Sequence, residues 1–165
     1  NGGFVAVRNR AIKEYLRFYS PTTTFSNALS PPQVATITKA LDIVQSEEGK
    51  HLRGQLMTNI LTLRSEIRRL GMDCYGDPSA IVCVKTGDEA LARMTARELP
   101  RRGLIANLVE FPAVGKGLAR FRMQVMAGHR TEEILAAASR LDAAMRTARS
   151  QLDAGADTVR QRLAG

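Results

Sequence analysis

The chain of 165 residues contains no tryptophan, only two cysteines and few other aromatic residues. The cysteines, Cys74 and Cys83, are too few for a disulfide framework, and their spacing is not that of a zinc site. No apolar run reaches the length of a membrane-spanning helix, and no signal peptide is recognisable. These absences argue against a disulfide-stapled secreted domain, a zinc-binding domain or a membrane-spanning protein, and they favour a cytoplasmic globular protein.

The sequence also lacks the short motifs of several enzyme classes. It has no Walker phosphate-binding loop, no glycine-rich dinucleotide fingerprint and no nucleophile elbow. The net charge of +8 raises nucleic-acid binding as an alternative. However, the arginines are scattered over predicted helices, and the aromatic residues cluster near residues 15–25 instead of alternating with basic residues for base stacking. A solvated basic surface is the favoured interpretation, with no nucleic-acid partner.

The first part of the chain is predicted to be helical with a hydroxyl-rich break. Residues 9–18 have the pattern of a short helix, whereas residues 20–27 lack helical periodicity and predict a loop. Ser30, followed by two prolines, is typical of a helix start. Apolar residues at helical spacing then predict two connector helices over residues 31–72, with a bend at Gly49.

The pattern over residues 73–150 alternates between strands and helices. Apolar runs predict strands at residues 80–84, 104–109 and 119–126, and Asp88 and Thr131 are predicted to cap two helices. The fold class is therefore α/β, with a small mixed sheet and helices packed against it. From Gln151 the apolar pattern loosens, which predicts a frayed tail over residues 151–165.

Alternation along the strand at 119–126 divides its side chains between two faces. Phe121, Met123 and Val125 are predicted to lie under the helices, which sends Arg120 and Arg122 to the opposite face. The planar fork of an arginine matches a carboxylate with two hydrogen bonds, so this face is a candidate carboxylate site. An exposed, solvated strand arginine is the alternative that the pattern alone leaves open.

Two further stretches carry candidate polar residues. His129 precedes the last helix and is a candidate general base, but a structural role in the turn is favoured because no acid or nucleophile lies nearby in sequence. Ser26, Asn27 and the threonines before them could hold a phosphate, although hydroxyl-rich loops are common.

Several stretches resemble the α-oxoamine synthase family in their order and spacing. Residues 1–5 (NGGFV) resemble the Gly-Gly turn after the cofactor lysine, and residues 19–32 (YSPTTTFSNALSPP) resemble a hydroxyl-rich segment that ends in leucine and proline. Residues 111–129 (FPAVGKGLARFRMQVMAGH) are similar to a block that contains the substrate-binding arginine, and residues 79–82 (SAIV) to the strand that opens the small domain. The similarity covers residues 1 to about 148.

The resemblance implies the carboxy-terminal portion of a fold-type-I pyridoxal 5'-phosphate enzyme that is a homodimer. Residues 1–30 would end the large cofactor-binding domain, residues 31–72 would form the connector helices, and residues 73–150 would form the small α/β domain. The implied reaction is the decarboxylative condensation of an amino acid with an acyl thioester, either acyl-CoA or an acyl carrier protein. Residues 19–21 and 75–76 favour the serine palmitoyltransferase branch, although neither the amino acid nor the acyl donor can be read from the sequence.

The resemblance also assigns roles to single residues. Arg122 matches the arginine that binds the carboxylate of the amino acid or product, and Ser26, with Asn27 beside it, matches a residue that reaches the cofactor phosphate of the partner subunit. The Schiff-base lysine is expected upstream of Asn1, because none of the lysines aligns with it: Lys13, Lys39, Lys50, Lys85 and Lys116. The 165 residues alone are therefore expected to be inactive, and a non-catalytic small domain or heterodimer partner is the alternative function.

Overall fold

A computed structural model describes residues 5–163, with side chains described as far as residue 156. The chain divides into two compact units, Asn1–Lys50 and His51–Gly165. The proposed turn at Gly2 and Gly3 lies outside the described residues. Within the described part of the chain, no helix is long and apolar enough to cross a membrane.

The first unit begins with helix α1, Arg10–Tyr19, which confirms the helix predicted at 9–18. The side chain of Asn9 caps it by accepting a 2.8 Å hydrogen bond from the N–H of Ala11. A short helix, α2 (Pro21–Thr24), replaces part of the predicted loop. Proline at the first position of α2 has its φ angle already set for a helix, so a single turn forms despite the lack of periodicity.

Helix α3, Pro31–Gln45, begins after Ser30, as the sequence predicts. The Gln33 side-chain oxygen accepts from the backbone N–H of Ser30 at 2.9 Å and from its hydroxyl at 3.0 Å. Helix α4, Glu47–Arg69, follows directly. The break between the two helices lies at Ser46, which has an extended backbone, so the prediction of a bend at Gly49 was wrong in position.

The second unit contains a sheet of four strands, β1 (Cys74–Tyr75), β2 (Ile81–Gly87), β3 (Asn107–Val109) and β4 (Ala119–Gln124). Their spatial order is β1-β2-β4-β3, and each neighbouring pair is antiparallel. The α/β fold class is confirmed, but the described sheet is antiparallel throughout, where the sequence predicted a mixed sheet. Short loops join β1 to β2 and β3 to β4, and short loops can join only antiparallel neighbours.

Helices cover one face of this sheet and form the core of the second unit. Helix α5, Glu89–Glu98, starts at the predicted cap Asp88 and leads into a 3-10 turn, Pro100–Arg102, whereas α6 runs from Thr131 to Leu163. Helix α6 continues past Gln151, where the sequence pattern loosens, and the frayed tail over residues 151–165 stays a prediction. The largest fully buried apolar side chains come from α4, β2, β4, α6 and the end of α5: Ile67, Val82, Val84, Leu99, Phe121 and Leu141.

Candidate functional site

The two faces of β4 differ in burial as its alternation predicts. Phe121 is fully buried and Met123 is 6% exposed, because both lie under the helices. Arg120 and Arg122 are half-buried on the opposite face, and Gln124 is exposed there. This second face, with its neighbours on β1, β2 and β3, is called the outer face below.

Arg122 lies near the middle of the outer face. In the strand register it stands opposite Cys83 of β2 on one side and Asn107 of β3 on the other. It lines a cleft of about 490 Å³, together with residues of the 104–107 segment, the end of β4 and helix α6. Among the residues that the structure describes, the Arg122 guanidinium has no hydrogen bond or ion pair. Its N–H groups are therefore available to an anion in the cleft.

Arg120, two residues earlier on the same face, is held in a different way. Its guanidinium carbon lies 3.9 Å from the centre of the Tyr75 ring. Its Nε also donates to the carbonyl oxygen of Leu118 at 3.1 Å. Since Tyr75 belongs to β1, Arg120 is turned towards the β1 side of β4. It does not line the cleft that Arg122 lines.

An ion pair lies beside the same aromatic ring. Lys85 Nζ lies 4.9 Å from the centre of the Tyr75 ring and donates to Asp73 Oδ2 at 2.6 Å. That hydrogen bond, helped by one from the Cys74 N–H, lowers the pKa of the Asp73 carboxyl, and the same hydrogen bond raises the pKa of Lys85. Asp73 thus neutralises Lys85 and leaves Arg120 and Arg122 as the uncompensated cations of this row of strands.

His129 has a structural role in the turn before α6. Its Nδ1 accepts a 3.3 Å hydrogen bond from the N–H of Met126. The Asn59 side-chain amide, on α4, donates to the carbonyl oxygens of Met126 and His129, each at 3.0 Å, and to that of Ala127 at 3.3 Å. The interpretation of His129 as a structural residue is supported by these contacts.

Asn59 was missed by sequence reasoning, although a signal for it exists. It is 8% exposed and lies between Leu56 and Leu63, at the spacing of the apolar stripe of α4. A polar residue within such a stripe must find hydrogen-bond partners when it is buried. The partners themselves lie 67 to 70 residues away in sequence, so only the fold identifies them.

Arg64 of α4 departs from the solvated basic surface that the sequence predicts for the scattered arginines. It is 5% exposed, and its guanidinium donates to the carbonyl oxygen of Gly76 at 2.7 Å. It thereby holds the loop between β1 and β2 against α4. The neighbouring Cys74 thiol has a raised pKa, chiefly because it is buried. Both groups are largely buried in the second unit.

Ser26 and Asn27 belong to the first unit, whereas Arg122 belongs to the second. Both residues are exposed, and the Ser26 hydroxyl donates to the carbonyl oxygen of Thr22. A second hydroxyl pair, Ser20 Oγ and Thr22 Oγ1, lies 2.8 Å apart in the same segment. The segment therefore presents exposed hydroxyl groups, and the O–H of Ser26 donates within the segment itself. Within the described residues, no group of acidic, histidine or cysteine side chains is arranged to hold a metal ion.

Comparison with known proteins identifies the family of this chain. Residues 1–141 match the family described as aminotransferase class I and II. The chain belongs to this family. Its curated relatives include 2-amino-3-ketobutyrate coenzyme A ligase of Escherichia coli, 37% identical over 134 residues, and serine palmitoyltransferase of Bacteriovorax stolpii, 30% identical over 133 residues. Both are α-oxoamine synthases, so the resemblance to that group is confirmed.

The matches cover much of this family member but only part of each relative. The two alignments above each cover 81% of the chain and, respectively, 33% and 31% of the relative. The chain therefore spans about a third of the length of the curated relatives it matches.

Solved structures show the same fold. A structure of SPT with PLP internal aldimine superposes with a TM-score of 0.73 at 26% identity, covering 85% of this chain and 35% of that one. Serine palmitoyltransferase of Sphingomonas wittichii gives 0.71 at 26% identity, with the same coverage. Since the second unit with its small sheet makes up most of the chain, these matches confirm the α/β fold class of this family member.

Proposed function

We propose that this chain is the carboxy-terminal part of a pyridoxal 5'-phosphate-dependent α-oxoamine synthase. The reaction joins the α-carbon of an amino acid to the carbonyl carbon of an acyl thioester. The amino-acid carboxylate leaves as CO₂, and the thiol leaves after taking up a proton. The observation that carries the proposal is Arg122, an unpaired guanidinium on the outer face of the sheet in a member of this family.

Arg122 is proposed to bind and orient the amino-acid carboxylate. Its planar fork offers two parallel N–H donors, which fix the direction of a carboxylate as well as its position. The backbone of Arg122 is paired with Cys83 of β2 on one side and with Asn107 of β3 on the other. The side chain therefore extends from a rigid part of the sheet. Holding the carboxylate in one orientation lowers the entropic cost of reaching the reactive geometry.

The cofactor phosphate is proposed to be bound by Ser26, with Asn27 beside it, as in the resemblance described above. The donor set fits this group: both side chains are exposed, the Asn27 amide can donate to phosphate oxygens, and the Ser26 O–H can do so once it leaves the Thr22 carbonyl oxygen. When bound, pyridoxal 5'-phosphate withdraws electrons from the α-carbon of the amino acid. The lysine that holds the cofactor is proposed to lie outside the 165 residues.

The acyl donor is proposed to be an anionic thioester, acyl-CoA or an acyl carrier protein, since the net charge of +8 favours both. Within the family, the segments at 19–21 and 75–76 favour the serine palmitoyltransferase branch. A cytoplasmic homodimer is proposed as the assembly. Large apolar side chains of the first unit mark a surface that the rest of the full-length protein or a partner subunit would cover, because Phe18, Tyr19 and Phe25 are 72%, 72% and 87% exposed.

Replacement of Arg122 tests the function. Arg122→Ala in the full-length protein is expected to weaken amino-acid binding by about 1.5–3 kcal/mol, the range for a hydrogen bond to a charged group. Arg122→Lys is expected to restore only part of this loss, because an ammonium group cannot form the paired hydrogen bonds of a guanidinium. The measurement is the amino-acid dissociation constant, followed by absorbance titration of the cofactor.

Arg146→Ala is the matched control for this test. Arg146 is an exposed arginine of α6 whose Nε is 2.8 Å from Asp142, and its removal changes the net charge by the same amount. Amino-acid affinity is expected to stay at the wild-type value in this control. Unchanged affinity in Arg122→Ala would contradict the proposed role of Arg122. A loss shared by both variants would mean that net charge, and not the guanidinium fork, is responsible.

The cofactor assignment has its own test. Ser26→Ala is expected to weaken retention of pyridoxal 5'-phosphate, because one hydrogen bond to a phosphate is lost, at about 1.5–3 kcal/mol. Thr24→Ala, whose hydroxyl donates to the carbonyl of Ser20 at 3.3 Å, is the control in the same segment. Cofactor release is followed by dialysis and absorbance. Equal retention in Ser26→Ala and the wild type would remove Ser26 from the phosphate site.

A further inference from the structure

Two arginines of the outer face lie two positions apart on β4 but are turned to opposite sides of the strand. Their Cα atoms are about 7 Å apart, the repeat of two residues in a strand, so both side chains could reach one small ligand. Arg122 instead lines the cleft on the β3 side, whereas Arg120 stacks on Tyr75 of β1. Arg140 of α6 also lines this cleft, but its guanidinium donates to the carbonyl oxygen of Gly103 at 2.9 Å, so among the described residues Arg122 supplies the unpaired guanidinium of the cleft.

Tyr75 is the residue that keeps the guanidinium groups of Arg120 and Arg122 apart. Its ring provides the face on which the Arg120 guanidinium stacks at 3.9 Å, and attraction between a cation and an aromatic face is favourable at this distance. The other contact of Arg120, from its Nε to the carbonyl of Leu118 at 3.1 Å, leaves its terminal N–H groups free to turn. Without the ring, the end of the Arg120 side chain would have no preferred place on the β1 side.

We infer that Tyr75 determines specificity at the Arg122 site by holding the Arg120 guanidinium on the β1 side, so that the site accepts a single carboxylate. This inference rests on the proposed role of Arg122 as the carboxylate-binding residue. Asp73 contributes by neutralising Lys85, which lies beside the same ring, at 2.6 Å. If Arg120 were released, the site would present two unpaired guanidinium groups and would favour dicarboxylates over monocarboxylates. Tyr75 is thus a positioning residue that acts through Arg120.

The test measures binding of malonate and of acetate to the full-length protein by equilibrium titration, which does not depend on turnover. In Tyr75→Leu, malonate affinity is expected to rise about tenfold, the effect of one further charge-assisted hydrogen bond. Acetate affinity is expected to stay within about twofold, because its one carboxylate is already satisfied by Arg122. Tyr75→Phe is the matched control, since it keeps the ring face and removes only the hydroxyl, and it should bind both anions as the wild type does.

Two further variants assign the result to the two arginines. Arg120→Ala in the Tyr75→Leu background should abolish the gain for malonate, whereas Arg122→Ala alone should weaken both anions. An unchanged malonate affinity in Tyr75→Leu, or a gain that persists without Arg120, would overturn the inference. Failure of Arg122→Ala to weaken either anion would instead refute the proposed function of Arg122, and the two failures are therefore distinguishable.

Discussion

Of the polar residues that the structure describes in the second unit, several form hydrogen bonds with the backbone, whereas the guanidinium of Arg122 is unpaired. Asn59, Arg64 and His129 are each tied to backbone atoms that lie far away along the chain or in a turn. Arg122 has a comparable position within the sheet but has no such partner among the described residues. Polar groups that are satisfied internally stabilise the fold, whereas an unpaired guanidinium beside a cleft is free to bind a ligand.

Asn59 gives a prediction at this scale. Its amide donates to three backbone carbonyls in the turn between β4 and α6. Asn59→Ala leaves these acceptors without the donor, so the free energy of unfolding is expected to fall by about 1–3 kcal/mol. Urea denaturation followed by circular dichroism measures this change.

The neighbouring Thr62 supplies the control. Its hydroxyl is exposed and donates only to the carbonyl of Thr58 within the same helix, at 2.9 Å. Thr62→Ala is expected to change the free energy of unfolding by less than about 0.5 kcal/mol, as for most surface substitutions. If Asn59→Ala lowered the free energy of unfolding no more than Thr62→Ala does, the Asn59 amide would not be stabilising the turn.

At the scale of elements, the junction of α3 and α4 depends on a close approach of backbones. Ser46 breaks the helix, and its hydroxyl donates to the carbonyl of Ile43 at 2.7 Å. Gly49 is buried in the first turn of α4. A Cβ atom there would meet the carbonyl oxygens of Ile43 and Val44, the latter at 2.7 Å. The glycine that predicts a bend in the sequence is therefore required for packing beside the bend.

Two glycines of α4 give opposite predictions. Gly49→Ala is expected to destabilise the protein by about 1–3 kcal/mol, because backbone atoms cannot move aside as a flexible side chain can. Gly54→Ala is expected to stabilise it by up to about 1 kcal/mol, since nothing lies within 4 Å of the new Cβ and alanine favours helix. Thermal unfolding of the two variants compares them directly. A stabilising Gly49→Ala would show that the close approach at the junction does not persist in solution.

At the scale of the whole molecule, carboxylates that accept hydrogen bonds link stability to pH. Three carboxyl groups have a lowered pKa, and in each case a hydrogen bond is the main cause. Glu66 accepts from Arg69, Asp73 accepts from Lys85, and Glu133 accepts from the backbone N–H of Arg130. A carboxyl with a lowered pKa stabilises the fold at pH values above its ordinary pKa. That ordinary pKa is 4.5 for Glu66, 3.8 for Asp73 and 4.5 for Glu133. That stabilisation is lost as the pH falls through the lower pKa of the folded state.

Stability is therefore expected to be level near neutral pH and to decrease below about pH 4.5. The triple variant Glu66→Gln, Asp73→Asn and Glu133→Gln should show a shallower decrease, because its neutral side chains no longer titrate. Urea midpoints measured from about pH 3 to pH 7 test this. A variant that retains the full acid sensitivity of the wild type would place the titration in other groups.

The sequence by itself determined the local features of this protein. Ser30 before two prolines marks the start of α3, Asp88 marks the start of α5, and alternation divides the side chains of β4 between two faces. These features are local, since capping and alternation depend on neighbours within a few residues. The family was also recognisable, because its motifs are short runs in a fixed order, and Arg122 was named from one of them.

Only the tertiary structure decided how distant residues meet. The antiparallel order β1-β2-β4-β3 brings Tyr75 and Arg120 together from strands that are not neighbours. The burial of Asn59 and Arg64 likewise depends on loops that close over α4. The physical reason is that strand pairing and packing are non-local: their partners lie tens of residues apart, and no local pattern records which surfaces come into contact.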